Sequence, residues 1–235
     1  TNGQFNDIYY MSCLPENNFF PDLSKAPKTD IIFFCNPNNP TGTRLEPQRI
    51  LALAASAPQT LLVVDELYEA FTGDSVLPTS DFDATPNLLV LRSLAKTAGL
   101  AGLRIGFAIG HADVVDRVSR VKGPYDVNSV AVAAAFAALA DQSYVDAYVA
   151  EVLRAREWTL QALRNAGVRH HCDGGNYLLI WPQRPVAEVD ATLREAGILV
   201  RSMAGKPLID GCFRVSIGTT SQMQRFMEAF LPLEQ

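Results

Sequence analysis

The chain has 235 residues, which is enough for one or two domains with a sizeable apolar core. Hydrophobic residues make up 48% of it and charged residues 19%, a composition typical of globular rather than disordered proteins. The net charge of −5 argues against a nucleic-acid-binding surface. The sequence has no long apolar run and no secretory signal pattern, so we expect no membrane span and no signal peptide.

Short apolar runs alternate with helical patterns in the first half of the chain. The runs predict strands at residues 31–35, 61–64, 88–91 and 104–109, with a helix at residues 46–55. Runs that are apolar on both faces suit strands covered by helices on both sides. The sequence therefore predicts an α/β fold with a mostly parallel sheet.

The second half has longer helices and fewer strands. Its patterns predict helices at residues 130–139, 144–166, 186–195 and 221–230, and strands at residues 176–181, 198–201 and 213–217. Gly167 is predicted to end the longest helix. We expect a small α+β domain at residues 144–235, packed against a larger domain at residues 1–143.

The four cysteines are widely spaced and form no Cys-x-x-Cys pair, so we expect reduced thiols and a cytosolic protein. His170 and His171 are adjacent, which in a strand places them on opposite faces. That is poor geometry for chelation. A half-exposed strand is favoured there, and we predict no metal site.

Three polar clusters follow the ends of predicted strands, where ligands bind in open α/β sheets: residues 36–42, residues 65–68 and residues 93–96. A fourth polar group, Arg104, stands at the start of the fourth predicted strand. Each has a structural and a functional interpretation. The first is either a turn or an amide held at a ligand, and Asp65 either caps the next helix or faces a cationic ring nitrogen. Lys96 is either solvated or a desolvated amine that forms a Schiff base.

The order of these motifs resembles the class I/II aminotransferases, which use pyridoxal 5′-phosphate. The motifs are Asn-Pro-x-Asn-Pro-Thr-Gly at 36–42, Asp-Glu-x-Tyr at 65–68, Ser-x-x-Lys at 93–96, Gly-Leu-Arg-x-Gly at 102–106 and Arg-Val-Ser-x-Gly-Thr at 214–219. Residues 65–219 are most similar to histidinol-phosphate aminotransferases. Residues 1–42 resemble LL-diaminopimelate aminotransferase instead, and a natural mosaic and an engineered fusion both fit this pattern.

The resemblance implies the catalytic roles. Lys96 would bind the cofactor covalently and then move a proton as general base and acid. Asp65 would keep the pyridine nitrogen protonated. Tyr68 and Asn39 would hydrogen-bond the ring oxygen.

Anion-binding roles are implied in the same way. Ser93 and Arg104 would bind the cofactor phosphate. Arg214 would hold the anionic end of the substrate, with Asn39 beside it. Arg201 is either the second arginine of the histidinol-phosphate pattern or a surface residue.

The expected activity is transamination between histidinol phosphate and 2-oxoglutarate or glutamate, which is a step of histidine biosynthesis. We expect the enzyme to be a homodimer. LL-diaminopimelate or another amino acid as substrate, decarboxylation of the threonine-phosphate type, and a non-catalytic fragment also fit the pattern. Two departures from the family bear on this. Asp126 stands where histidinol-phosphate enzymes usually carry Asn. The family also has a stretch before the position matching Thr1, including a helix N-terminus that binds the cofactor phosphate.

Overall fold

Two four-stranded sheets organise residues 8–11, 13 and 28–234, the part of the chain that the computed structural model describes. The strands of the first sheet, in spatial order, are β1 (Ile31–Cys35), β2 (Leu61–Asp65), β3 (Leu88–Ser93) and β4 (Gly106–Gly110). The first three are parallel and β4 runs antiparallel to β3. The predicted α/β fold with a mostly parallel sheet is confirmed. Most of residues 1–27, part of the segment that resembles LL-diaminopimelate aminotransferase, lies outside the described residues.

One face of this sheet packs on α1 (Pro47–Ser56), which begins at a proline in its first turn. The buried core between them contains Leu45, Ile50, Ala54, Leu62, Val64, Val76, Leu88 and Val90. The predicted strand at residues 104–109 is wrong at its start. Arg104 is left-handed, with φ 55°, and this conformation cannot continue a strand, so β4 begins at Gly106.

Three helices connect the sheets: α2 (Ala112–Val121), α3 (Ser129–Ala140) and α4 (Gln142–Asn165). α2 was not predicted, although its apolar residues fall at helical spacing between charged ones. Gly167 follows α4 with φ 67°, as expected for a helix end. No helix in the described part of the chain is both long and apolar enough to cross a membrane.

The second sheet is antiparallel throughout, with the spatial order β5-β6-β8-β7. Its elements are β5 (Arg169–His171), β6 (Tyr177–Trp181), α5 (Val186–Glu195), β7 (Arg201–Ser202), β8 (Phe213–Ser216) and α6 (Thr220–Phe230). The predicted strand at residues 198–201 is wrong, because β7 pairs with β8 only through Arg201 and Ser202. The division into domains at residue 144 stays a prediction.

The two sheets meet where the loop at residues 36–42 touches the loop at residues 173–175. Gly42 has φ 78°, and a Cβ there would lie 2.6 Å from the carbonyl oxygen of Gly174. Arg44 reinforces the contact through ion pairs with Asp74 at 2.5 Å and with Asp173 at 3.4 Å. The two loops can approach this closely only because both positions are glycine.

Gly42→Ala is expected to destabilise the protein more than Gly73→Ala. Both glycines are left-handed, so each alanine meets a backbone penalty of roughly 1–2 kcal/mol. A Cβ at Gly73 meets nothing within 4 Å, whereas one at Gly42 strikes the backbone of Gly174. We expect about 1 kcal/mol or more of additional loss for Gly42→Ala, measured by urea unfolding. Equal losses of unfolding free energy in the two variants would mean that Gly42 does not pack tightly against Gly174.

Candidate active site

Strand alternation brings two of the predicted site residues to one face of the first sheet. Asp65 is in register with Cys35 and Leu91, and Ser93 lies two residues beyond Leu91 on β3. Residues two apart in a strand share a face, so Asp65 and Ser93 point to the same side, away from the core under α1. This is the carboxyl edge of the parallel strands, where ligands bind in such sheets.

The turn after β2 positions Asp65 and Tyr68. One carboxylate oxygen of Asp65 accepts the backbone N–H of Leu67 at 3.0 Å, which fixes the side chain at the strand end. Asp65 therefore caps a turn, and the prediction that it caps the next helix is wrong, because the next element is a 3₁₀ turn that begins at Glu69. Tyr68 is buried and precedes a short 3₁₀ turn at Glu69–Phe71. Its ring belongs to the core of the second sheet, so this residue is held by both sheets.

Lys96 lies in an irregular turn after β3 and is half-buried. Its Nζ is 5.5 Å from the centroid of the Tyr68 ring. The hydroxyl of Ser93 accepts the backbone N–H of Ala95 at 3.1 Å and so shapes the turn that presents the lysine. The structure therefore brings Lys96 to Tyr68.

The side chain of Arg104 is more exposed than those of Asp65, Ser93 and Lys96. It is exposed, and its guanidinium donates to the carbonyl of Ala101 at 3.2 Å. It lies two residues before Gly106, which pairs with Ser93 across the sheet. Asp126, which stands where histidinol-phosphate enzymes usually carry Asn, is exposed in the loop between α2 and α3.

Arg214 joins the second sheet to the Asn-Pro loop. Its Nη1 donates to the side-chain oxygen of Asn39 at 2.7 Å, and its guanidinium carbon lies 5.2 Å from the ring centroid of Tyr177. Its Nε is buried and has no hydrogen-bond partner among the described residues. Arg201 is exposed and directly opposite Arg214 on β7. Two like charges on one face of a strand pair repel, which an anion between them would relieve.

Tyr177 was not predicted as a site residue. It is 2% exposed, its ring meets Tyr68 edge-on at 4.9 Å, and its hydroxyl donates to the carbonyl of Asn38 at 2.5 Å. Burial raises the pKa of its hydroxyl, and Tyr68 adds to the shift, so the group remains a donor at neutral pH. An aromatic residue at the start of a buried strand gives no sequence signal beyond core packing.

A buried ion pair beneath the site was also missed. Arg92 precedes Ser93 and therefore points to the opposite face of β3, where its Nε lies 3.0 Å from a carboxylate oxygen of the fully buried Glu66. Glu66 also accepts the hydroxyl of Ser75 and the backbone N–H of Val76, each at 2.7 Å. Arg92 forms a second pair with Glu69. This network fixes the turn that carries Asp65 and Tyr68.

Other candidate centres are less suited to chemistry. A cleft of about 360 Å³ lies beside Arg44, Phe71 and Arg156, but none of the predicted site residues line it. Its arginines already bind carboxylates and backbone carbonyls. In the described ranges, no group of three or more His, Cys, Asp or Glu side chains is arranged to hold a metal ion.

The described thiols are poor nucleophiles. Burial raises the pKa of Cys35 and Cys172 to about 11 and that of Cys212 to about 12. Asp65 adds to the shift at Cys35. These thiols are therefore protonated at neutral pH and unreactive. Lys96 is the amine that the turn after β3 places beside Tyr68 at the strand ends.

The family model for aminotransferase class I and II matches residues 6–230. A histidinol-phosphate aminotransferase of Paracoccus denitrificans is 34% identical over 202 residues, which cover 85% of this chain and 55% of that protein. The chain therefore spans little more than half the length of this curated relative.

Solved structures agree with this likeness. L-threonine-O-3-phosphate decarboxylase of Porphyromonas gingivalis superposes with a TM-score of 0.78 at 29% identity, covering 90% of this chain and 68% of that one. Histidinol-phosphate aminotransferase of Sinorhizobium meliloti, solved in complex with pyridoxal-5′-phosphate, superposes with a TM-score of 0.76 at 24% identity. The match covers 87% of this chain and 57% of that protein. At that identity the second likeness bears on the fold alone.

Glu66→Gln is expected to lower the free energy of unfolding by about 2 kcal/mol, because it leaves Arg92 partly uncompensated in a buried site. Glu69 still pairs with Arg92, which limits the loss. Glu46→Gln is the matched control, since Glu46 is exposed and makes no capping bond. Urea unfolding should separate the two variants. Equal midpoints would mean that the buried pair does not stabilise the turn.

Proposed function

Because the chain belongs to the class I and II aminotransferases, we propose that its site binds pyridoxal 5′-phosphate and transfers an amino group from an amino donor to a 2-oxo acid. The observation that carries this proposal is the line of contacts that runs from Lys96 through Tyr68 and Tyr177 to Arg214 and Asn39. At one end of this line is the amine of Lys96, which can react with the cofactor carbonyl. At the other end is the guanidinium of Arg214, which can bind an anionic substrate.

The residues present fit this cofactor. Its pyridine ring, when bound, withdraws electrons from the substrate carbon that loses a proton. The carboxylate of Asp65 would hold a proton on the ring nitrogen, and the hydroxyl of Tyr68 would donate to the ring oxygen. The amine of Lys96 would bind the cofactor carbonyl carbon and carry a proton at Nζ. Ser93 and Arg104 would bind the phosphate.

Arg214 would bind the substrate's anionic end. Its buried Nε is a donor that lacks a protein partner among the described residues, and a carboxylate or phosphate would satisfy it. Asn39 accepts a hydrogen bond from Nη1 of the same guanidinium and so helps to orient it. Arg201, directly opposite on β7, would add a second positive charge. A substrate with a phosphate, such as histidinol phosphate with 2-oxoglutarate as acceptor, suits this pair.

Decarboxylation of a phosphate-bearing amino acid is the second candidate. The likeness to L-threonine-O-3-phosphate decarboxylase, at 29% identity, favours this reaction over transamination of LL-diaminopimelate. Both candidate activities need an anion-binding arginine pair, so the site alone does not separate them. Measuring carbon dioxide release against amino-group transfer, with each phosphate ester as substrate, distinguishes the two.

Lys96→Ala is expected to abolish covalent binding of pyridoxal 5′-phosphate, because the amine is the group that binds the cofactor carbonyl. The measurement is borohydride reduction followed by mass spectrometry of the peptide that carries residue 96. Lys122→Ala is the matched control, since Lys122 is exposed beyond the end of α2. Labelling that survives in Lys96→Ala, or a native chain that takes up no cofactor, would overturn the proposal.

We also propose a homodimer, with α3 in the contact between copies. Phe136 is 72% exposed, and the helix that carries it has no charged side chain. Helices that are apolar all round are normally buried, so this surface suits a protein contact. Phe136→Glu should give a monomer by light scattering, whereas Leu199→Glu, at an equally exposed position, should leave the native mass of two chains. A native monomer would contradict the proposal.

A further inference from the structure

We infer that Tyr177 is a positioning residue that sets the placement of Arg214 and Asn39 relative to Tyr68 and Lys96. The inference rests on the proposed function, because it assigns Arg214 to substrate binding, Asn39 to both substrate and cofactor, and Tyr68 and Lys96 to cofactor binding. Tyr177 contacts one member of each pair, Arg214 and Tyr68. None of the sequence motifs points to it.

The ring of Tyr177 is fixed from several sides. Tyr68 meets it edge-on at 4.9 Å, and the guanidinium of Arg214 lies 5.2 Å from its centroid. Gly175, with φ 81°, brings the backbone so close that a Cβ there would lie 2.7 Å from the ring. A side chain held in this way has one position, so the distance between its two neighbours is also set.

The hydroxyl of Tyr177 ties the same ring to the Asn-Pro loop. It donates to the carbonyl of Asn38 at 2.5 Å, and this carbonyl also accepts the backbone N–H of Gly42 at 2.7 Å. Asn39 follows in the chain and binds Nη1 of Arg214. Ring and hydroxyl thus act on Arg214 by two routes, one direct and one through Asn38 and Asn39.

Phenylalanine would keep the direct route and lose the second. The ring contacts with Tyr68 and Arg214 need no hydroxyl. Loss of the hydrogen bond to Asn38 would remove one of the bonds that hold the loop carrying Asn39. Leucine would lose both routes. Tyr177→Phe and Tyr177→Leu therefore separate the contribution of the hydroxyl from that of the ring.

The first measurement is the rate at which phenylglyoxal modifies Arg214, relative to Arg117 in the same sample, followed by peptide mass spectrometry. Arg117 is exposed on α2, which carries none of the candidate site residues, and provides the internal reference. We expect the ratio to rise about fivefold in Tyr177→Phe, the factor that corresponds to one neutral hydrogen bond. The rise should be larger in Tyr177→Leu. This readout needs no cofactor and does not depend on activity.

The second measurement is the affinity of the cofactor-loaded 235-residue chain for maleate, an unreactive dicarboxylate, by calorimetry. We expect the dissociation constant to rise about fivefold in Tyr177→Phe. Affinity for pyridoxal 5′-phosphate should change less, because Asp65, Ser93 and Lys96 would also hold the cofactor, so that Asn39 would be one contact among several. Tyr148→Phe is the matched control: Tyr148 is a partly buried tyrosine that packs on the same core. Tyr148→Phe should change neither the affinity for maleate nor the affinity for pyridoxal 5′-phosphate.

Each outcome supports or overturns the inference. Unchanged modification and maleate affinity in a folded Tyr177→Phe would overturn it, as would equal effects in Tyr148→Phe, which would indicate a general packing role. If Tyr177→Leu does not fold, Tyr177→Phe decides alone. If the native chain takes up no cofactor, the proposed function fails, and the phenylglyoxal ratio still tests the positioning of Arg214.

Discussion

The contact between the loop at residues 36–42 and the loop at residues 173–175 is the constraint on which the candidate site depends. It holds two sheets with separate cores against each other at backbone distance. Through it, Asn39 of the first sheet reaches Arg214 of the second. A side chain at Gly42 or Gly174 would push the sheets apart and separate these groups. The arrangement of the site therefore follows from two positions that have no chemistry of their own.

The two faces of β3 carry groups with different roles. Ser93 points to the face that carries Asp65, whereas its neighbour Arg92 points to the other face and pairs with Glu66. The buried charges stabilise the turn, and the groups on the open face remain available to a ligand. A buried ion pair contributes little net stability when intact, but its loss leaves an uncompensated charge. Such a pair suits a turn that must keep one conformation.

Much of the fold could be predicted from the sequence, because its strands are short apolar runs whose pattern is local. Residues 31–35 were predicted at the observed bounds, as was the helix at residues 186–195. The errors occur where local pattern and chain geometry differ. Arg104 lies in a left-handed turn that ends before β4, and β7 is limited to two residues by its pairing with β8. Neither fact is encoded in hydrophobic periodicity.

The sequence by itself determined the chemical groups of the candidate site and their order. Asp65, Ser93 and Lys96 follow strand ends, and the strand-end rule applies without knowledge of the partners. Only the tertiary structure decided which groups meet across the two sheets and across neighbouring strands: Tyr177 with Tyr68, Arg214 with Asn39, and Arg92 with Glu66. The physical reason is distance along the chain. Contacts between residues separated by up to 175 positions depend on how the sheets pack, and local sequence patterns carry no information about that packing.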